Sequence, residues 1–176
     1  MHMHDVAIHP ARREDLASLG EIEDAAESMF DLADLPAALR GHLRPIQEFE
    51  NARRCQSLWV ATDPTAGPVA FLMAGVLDSC LHVVELDVHP AFGRRGIGGR
   101  LLGHALQRAR DRCFPAVVLT TFEHLPWNAR FYARRGFTVI SPPDCGPELE
   151  AVLARERIAG FERRVAMRWK PHIVAQ

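Results

Sequence analysis

Apolar residues recur at two different spacings along the chain, and the spacing separates predicted strands from predicted helices. A short first strand is predicted around Val6 and Ile8, which alternate with Ala7 and His9. A helix is predicted to open at residues 12–15. Its buried face would consist of Leu16, Leu19, Ile22, Ala26 and Met29. A second helix is predicted from Pro36 to about Phe49, because proline suits the first turn of a helix.

The middle of the chain predicts three strands, a glycine-rich loop and a long helix. The strands cover residues 56–62, 69–77 and 81–88, and the short connections between them predict an antiparallel meander. The helix runs from about Gly96 to Arg112. Its buried stripe would be Ile97, Leu101, Leu102, Ala105, Leu106 and Ala109.

The last third alternates between short strands and helices. Residues 116–121 are mostly apolar, which predicts a strand buried on both faces and parallel to its predecessor across the helical crossover. A short helix at 128–135 and a strand at 137–140 follow. A helix at 148–159 and a strand at 165–169 complete the chain. No internal repeat or linker divides the sequence, so we expect one α/β (α+β) domain over residues 1–176.

Composition and charge remove several classes of protein. The 176 residues are 48% hydrophobic and 24% charged, which is ordinary for a soluble globular protein. No apolar run reaches the roughly 18 to 20 residues of a membrane helix, and the first residues do not resemble a signal peptide. The four cysteines are widely spaced, which favours reduced thiols in the cytoplasm. None of the nine histidines has a second histidine or a cysteine four residues away, so we expect no metal site.

The charges are unevenly distributed although the net charge is −1. Eight acids and no base lie between Glu14 and Asp34, and six arginines lie between Arg94 and Arg112. The basic block coincides with the glycine-rich loop and is balanced elsewhere. A local anionic ligand therefore explains it better than a nucleic acid does.

The stretch from Glu85 to Cys113 combines a strand, a loop with four glycines and the start of a helix. The glycines are Gly93, Gly96, Gly98 and Gly99, and the loop also carries Arg94, Arg95 and Arg100. Glycines let a backbone approach a phosphate, and the free N–H groups of the first helical turn attract an anion. We predict that a phosphate-bearing ligand binds here.

Two common phosphate motifs do not fit this loop. Counting from Gly96 and Gly98, the third position of the dinucleotide motif G-x-G-x-x-G is Leu101. The nucleotide-binding pattern that ends in G-K-S/T fails because no lysine is near. Dinucleotide and ATP sites are therefore weak candidates.

The stretch resembles the acyl-CoA-binding core of the GNAT superfamily of N-acetyltransferases. The matching segments are ELDVHP at 85–90, RRGIGGRLL at 94–102, NARFY at 128–132 and RGF at 135–137. They follow the family's order and spacing over about residues 81–140. Two positions depart from its pattern. Gly93 stands where glutamine or arginine is usual, and Leu125 replaces a frequent asparagine whose cofactor contact Asn128 would take over.

The resemblance implies a fold and a cofactor, acetyl-CoA. The fold would be a mixed, mostly antiparallel central sheet, splayed in the middle, with helices on both faces. Backbone N–H groups of the loop would hold the CoA pyrophosphate, and Leu86, Asp87 and Val88 would pair with the pantetheine arm as an added strand. The implied cofactor-binding residues are Leu86, Asp87, Val88, Arg94, Arg95, Gly96, Ile97, Gly98, Gly99, Arg100, Asn128 and Phe131.

Two side chains are candidates for acid–base catalysis. Glu85 is the predicted base that accepts a proton from the attacking ammonium. The alternative is a purely structural role in a salt bridge. Asp87 lies on the same face of the strand, so either acid could serve. Tyr132, the only tyrosine of the chain, is the predicted acid that protonates the CoA thiolate, with core packing as its alternative.

The acceptor is expected to be a primary amine of a small molecule or peptide. The acidic run in the first helix is usually a solvated face, but acids in the acceptor site would favour a cationic amine. Glu123, His124 and Trp127 follow the fifth strand, near the predicted substrate entrance, and each is more often structural. A non-catalytic CoA-binding regulatory module, or an acyltransferase with another acyl chain or acceptor, remains an alternative. We expect no nucleic-acid or membrane partner, and a homodimer stays open.

Overall fold

The computed structural model describes residues 6–35 and 37–171. Seven strands form one sheet in the order β1-β2-β3-β4-β5-β7-β6. They are β1 (Ala7–Pro10), β2 (Leu58–Asp63), β3 (Gly67–Leu77), β4 (Cys80–Val88), β5 (Val117–Phe122), β6 (Thr138–Ile140) and β7 (Arg164–Trp169). Only β4 and β5 pair in parallel. The prediction of a mixed, mostly antiparallel sheet is confirmed.

The sheet opens between β4 and β5. These strands pair only at Leu81 with Val117 and at His82 with Val118, and then they diverge. On the other edge of β4 the pairing with β3 skips Val84, because Met73 pairs with Glu85 while Ala74 pairs with Val83. An extra residue of this kind bends a strand and increases its twist. The bulge at Val84 thus lies where β4 leaves β5, and the predicted central splay is confirmed.

Helices cover both faces of the sheet. They are α1 (Leu16–Glu27), α2 (Ile46–Arg54), α3 (Ile97–Asp111), α4 (Ala129–Ala133) and α5 (Pro147–Ile158). Because neighbouring strand residues point to opposite faces, Ala61 and Leu72 pack with α3 while Val60 and Phe71 pack with α1 and α2. A third cluster holds α5 against β5 and β7 through Leu149. No helix in the described ranges is both long and apolar enough to cross a membrane.

The predicted second helix is wrong in its extent. A 3-10 turn at Ala37–Leu39 and an irregular segment occupy its first half, and α2 covers Ile46–Arg54. Gly41 has φ +70, a left-handed conformation that interrupts a helix, and Pro45 fits the position just before α2. The predicted start at Pro36 lies outside the described residues. Met29 was also predicted to be buried, but it is 44% exposed because α1 ends at Glu27.

The turn between β3 and β4 holds the start of α5. The carboxylate of Asp78 accepts hydrogen bonds from the backbone N–H groups of Glu148 (3.1 Å) and Leu149 (3.0 Å). These N–H groups lie in the first helical turn, where they have no partner within the helix. A Cβ on Gly146 would lie 2.6 Å from Oδ2 of Asp78, so the approach requires glycine there. Asp78 therefore caps a helix almost seventy residues downstream.

Asp78→Gly is expected to lower the free energy of unfolding by about 1–2 kcal/mol, because it removes this cap. Glycine tolerates the φ of +48 at this position, so the substitution introduces no new backbone strain. Asp78→Asn is the matched control, since it keeps a side-chain oxygen and also tolerates a left-handed φ. Urea unfolding measures both variants. If Asp78→Gly unfolds at the same urea concentration as the wild type, Asp78 does not stabilise α5.

Candidate active site

The edge of β4 that faces the gap presents backbone groups without a strand partner. The N–H of His89 donates to the carbonyl of Val69 in β3 at 2.9 Å. Backbone groups alternate in direction along a strand, so those of Leu86 and Val88 point toward the gap. Asp87 pairs with Phe71 of β3, and its backbone therefore faces away from the gap. Of the three strand residues expected to contact the cofactor, Leu86 and Val88 have the suitable orientation.

The glycine loop joins this strand to α3 through a tight 3-10 turn, Pro90–Phe92. A Cβ on Gly93 would lie 3.1 Å from the carbonyl oxygen of Pro90, closer than an ordinary contact, which gives a local reason for glycine at this position. Arg94 and Gly96 both have positive φ, +60 and +77, and Gly96 is the N-cap of α3. Left-handed residues in such a loop turn successive N–H groups toward one side, which suits an anion.

The first turn of α3 combines a buried side chain with two glycines. Ile97 is 2% exposed and belongs to the core, so only its backbone can serve the site. A Cβ on Gly98 would lie 3.5 Å from Val88 and 3.6 Å from the ring of Phe131. The helix start is thus close to both the gap strand and α4. Arg94, Arg95 and Arg100 are exposed around it, and Arg95 lies over the ring of Phe92 at 5.0 Å.

Arg135 is a further cation at this helix start, which the sequence did not single out as a site residue. Its guanidinium stacks on Phe131, 3.8 Å from the ring centre, and donates to the Phe131 carbonyl at 2.8 Å. A Cβ on Gly99 would lie 2.3 Å from its Nη2, so glycine leaves the room that Arg135 occupies. Arg135 adds positive charge beside the N-terminus of α3, where a phosphate is favoured.

Asn128 and Leu125 lie just before α4. The carbonyl of Asn128 accepts the N–H of Phe131 at 2.8 Å, and its side chain is half-buried. Leu125 is 6% exposed and packs in the interior. An apolar side chain therefore stands where the family often has asparagine, and Asn128 is the polar residue that remains nearby.

Tyr132 packs between two aromatic rings, with centroid distances of 5.0 Å to Phe131 and 5.7 Å to Phe137. Burial raises the pKa of its hydroxyl well above the usual range, and an ionised Asp87 would raise it further. The phenol therefore carries its proton throughout the neutral range, as a proton donor must. Tyr132 also packs in the same hydrophobic cluster as Leu86 and Val88, the residues on either side of Asp87 in β4.

Three carboxyl groups form a cluster beside this opening: Glu23 on α1, and Glu85 and Asp87 on β4. Burial raises the pKa of Glu23 to about 7, and repulsion from Glu85 adds to the effect. Burial also raises the pKa of Glu85 and of Asp87, and a side-chain hydrogen bond joins these two. That bond favours the charged form of Glu85 and the protonated form of Asp87. Glu23, expected on a solvated face, is only 6% exposed.

Arg44 brings a positive charge to the carboxyl cluster. Its Nε donates to Oε2 of Glu85 at 2.9 Å, and its Nη1 donates to Oε2 of Glu48 at 2.6 Å. Its backbone N–H donates to Oε2 of Glu23 at 3.0 Å. Arg44 thus joins α1, α2 and β4. It lies in the irregular segment before Pro45, where no sequence pattern pointed to it.

Aromatic residues from two loops close the outer side of this region. The ring of Phe30, just after α1, lies 5.6 Å from that of Phe122 and 6.5 Å from that of Trp127. His124 bonds to Asp34 through Nε2 at 2.5 Å, which ties the loop after β5 to the loop after α1. Glu123 is exposed. The predicted entrance residues thus border the segment that carries Arg44, with Trp127 42% exposed.

A family model described as "Acetyltransferase (GNAT) family" matches residues 22–137, about two thirds of the chain. The chain belongs to the GNAT acetyltransferase family. The match extends from the middle of α1 to the residue before β6 and includes the gap, the glycine loop and α4. This family uses acetyl-CoA as its acyl donor. The glycine loop with its left-handed residues, the exposed arginines and the open edge of β4 fit that ligand.

Solved GNAT structures share the fold at low sequence identity. N-acetylglutamate synthase from Neisseria gonorrhoeae, complexed with coenzyme A and N-acetyl-glutamate, is 17% identical with a TM-score of 0.72. That match covers 98% of this chain and 36% of the other, so this chain spans about a third of the synthase. PaiA N-acetyltransferase from Thermoplasma acidophilum, in complex with coenzyme A, is 16% identical with a TM-score of 0.70, covering 95% and 99% of the two chains.

The ribosomal-protein-S18-alanine N-acetyltransferase from Escherichia coli is 15% identical, with a TM-score of 0.68 and coverage of 98% and 97%. At these identities the three likenesses show the GNAT fold alone.

Within residues 6–35 and 37–171, no group of three or more His, Cys, Asp or Glu side chains could hold a metal ion.

Proposed function

We propose that this GNAT protein transfers the acetyl group of acetyl-CoA to a primary amine of a small molecule or peptide. The observation that carries the proposal is the pairing, at one opening of the sheet, of a carboxylate cluster with a protonated phenol. Glu85 and Asp87 provide a proton acceptor there, and Tyr132 provides a proton donor. Amine acetylation needs both, because the acceptor loses a proton and the CoA sulfur gains one.

The proposed reaction is a direct attack with both substrates bound. Glu85 accepts a proton from the acceptor ammonium, and the free amine attacks the thioester carbonyl. The backbone N–H of Val88, which points into the gap, polarises that carbonyl. The C–S bond breaks as Tyr132 gives its proton to the departing sulfur, and the attacking nitrogen then loses its second proton, which restores the phenol. No covalent enzyme intermediate is required.

The acceptor is proposed to be cationic before it reacts. Three carboxyl groups cluster beside the opening of the sheet, and Arg44 supplies one cation against them. The raised pKa values of Glu23 and Asp87 indicate that this one cation does not offset the cluster, so a positively charged amine would lower its electrostatic free energy. Polyamines, aminoglycosides and peptides with a basic N-terminal residue belong to this class.

The test follows thiol release from acetyl-CoA in the presence of single amines. We expect release with cationic amines and much less with glutamate, an acceptor whose carboxylates would face the cluster. Mass spectrometry of the product should show one added acetyl group. Strong release with glutamate alone would contradict the cationic class.

The rival function, a CoA-binding regulatory module, gives a different result in the same assay. Such a module would bind CoA, as measured by calorimetry, without thiol release from any amine of the panel. An acyltransferase for another acyl chain would release thiol faster from propionyl- or longer-chain CoA than from acetyl-CoA.

The expected cytoplasmic location stays a prediction, supported by four free cysteines, and a homodimer stays open.

A further inference from the structure

Within the described part of the chain, Arg44 is the cation that forms a salt bridge with the proposed base. Its side chain is 22% exposed and that of Glu85 is 20% exposed, so the pair is largely shielded from water. The Nε to Oε2 distance of 2.9 Å is that of a charge-assisted hydrogen bond. The opposite edge of the guanidinium is held by Glu48 and the Arg44 backbone by Glu23, so three contacts fix its position.

The charges around Glu85 make the contribution of Arg44 decisive. Glu23 and Glu27 face it from α1, Glu48 lies at the far side of Arg44 on α2, and Asp87 is its neighbour on β4. Tyr132 lies beyond Asp87 on α4. All of these groups are acidic or neutral. Arg44 is the cation that acts directly on Glu85, and without it burial and repulsion would both favour a protonated carboxyl.

We propose that Arg44 is a positioning residue that keeps Glu85 ionised and assigns to it, rather than to Asp87, the role of proton acceptor. This proposal rests on the proposed function. The Asp87 carboxyl then holds the proton of the pair and donates it in the hydrogen bond to Glu85. Arginine suits the task because it stays charged when buried and can bind two carboxylates with different edges of one plane.

The kinetic test measures kcat/KM for thiol release against pH in Arg44→Gln, with one amine for all variants. The acidic limb of this profile is the range in which kcat/KM falls as the pH decreases. Loss of the cation is expected to move this limb toward higher pH by about one to three units. Activity at neutral pH should fall about tenfold or more and recover at alkaline pH. Arg44→Lys should restore most of the wild-type profile, because it keeps the charge.

Two controls separate this role from a merely structural one. Arg54→Gln removes an arginine from α2 whose side chain is 69% exposed and paired with Glu50, so its profile should match the wild type. Adding Arg44→Gln to Glu85→Gln should cause no further shift, since Arg44 acts through Glu85. A folded Arg44→Gln whose rate falls equally at every pH would overturn the proposal. If Arg44→Gln does not fold, Arg44→Met, which retains the apolar stem, replaces it.

A second measurement does not depend on turnover. Carboxyl carbon NMR of protein labelled at glutamate follows the titration of Glu85, whose signal is identified by its absence in Glu85→Gln. In Arg44→Gln the midpoint should move upward by about one to three pH units. An unchanged midpoint refutes the role of Arg44 whether or not the protein acetylates amines. A shifted midpoint without thiol release would instead refute the proposed function alone.

Discussion

Tyr132→Phe is expected to lower kcat about 100-fold or more while leaving the affinity for CoA nearly unchanged. The substitution removes one hydroxyl and keeps the ring that packs between Phe131 and Phe137. The departing sulfur then loses its proton donor, and the transition state in which the C–S bond breaks is destabilised. Steady-state thiol release gives kcat, and calorimetry with CoA gives the affinity.

Phe131→Leu is a suitable comparison for Tyr132→Phe. It loses the ring that lies against Gly98 and Arg135 but leaves the hydroxyl of Tyr132 in place. We expect it to weaken CoA binding more than it lowers kcat. If Tyr132→Phe turns over as fast as the wild type, the phenol has no role in proton transfer and is a core aromatic. If Tyr132→Phe loses affinity for CoA instead, the role of the Tyr132 hydroxyl is to bind CoA.

The sequence predicted the central part of the fold better than the part around the acceptor. The elements from β2 to α3 follow regular apolar spacing and glycine turns, and their positions in the structure agree closely with the predicted ranges. The splay between β4 and β5 came only from the family resemblance. It coincides with the single unpaired residue Val84, a valine like Val83 before it, and nothing in its residue type marks it as a bulge.

The carboxyl cluster shows why the acceptor side was harder to predict. Glu23 appears in the sequence as one of several acids on the polar face of α1, yet it is buried against Arg44. Arg44 lies in a segment without periodicity, and its partner Glu85 is 41 residues away. Contacts of this kind depend on how the segment between α1 and α2 folds over the sheet, and Gly41 and Pro45 shape it locally.

The salt bridge of Glu85, weighed at first as the alternative to a catalytic role, is compatible with that role. A base must be ionised to accept a proton, and a buried carboxyl with acidic neighbours needs a cation to remain so. The same contact joins β4 to the segment before α2 and would also preserve the proton acceptor. The exposed arginines of the glycine loop do not hold a buried carboxyl in its ionised form. They add positive charge around a helix N-terminus that already attracts an anion.

Glu85→Gln is expected to lower kcat/KM at neutral pH about 100-fold and to remove the acidic limb that belongs to the enzyme. Burial raises the pKa of Glu85, so wild-type activity should fall as the pH drops through that raised value and the carboxylate takes up a proton. Glutamine has no such group to titrate. The remaining pH dependence should come from the acceptor amine, which is checked by repeating the profile with an amine of lower basicity.

Asp87→Asn distinguishes the two carboxyls of the cluster. Asparagine keeps a hydrogen-bond donor toward Glu85, as the protonated Asp87 has, so we expect a smaller loss and a retained acidic limb. The limb should stay near its wild-type pH, because asparagine keeps the hydrogen-bond donor that favours the ionised form of Glu85. If Asp87→Asn abolishes the limb and Glu85→Gln leaves it in place, Asp87 is the base. Arg44 would then act on the wrong carboxyl, and its proposed role would fail with the assignment.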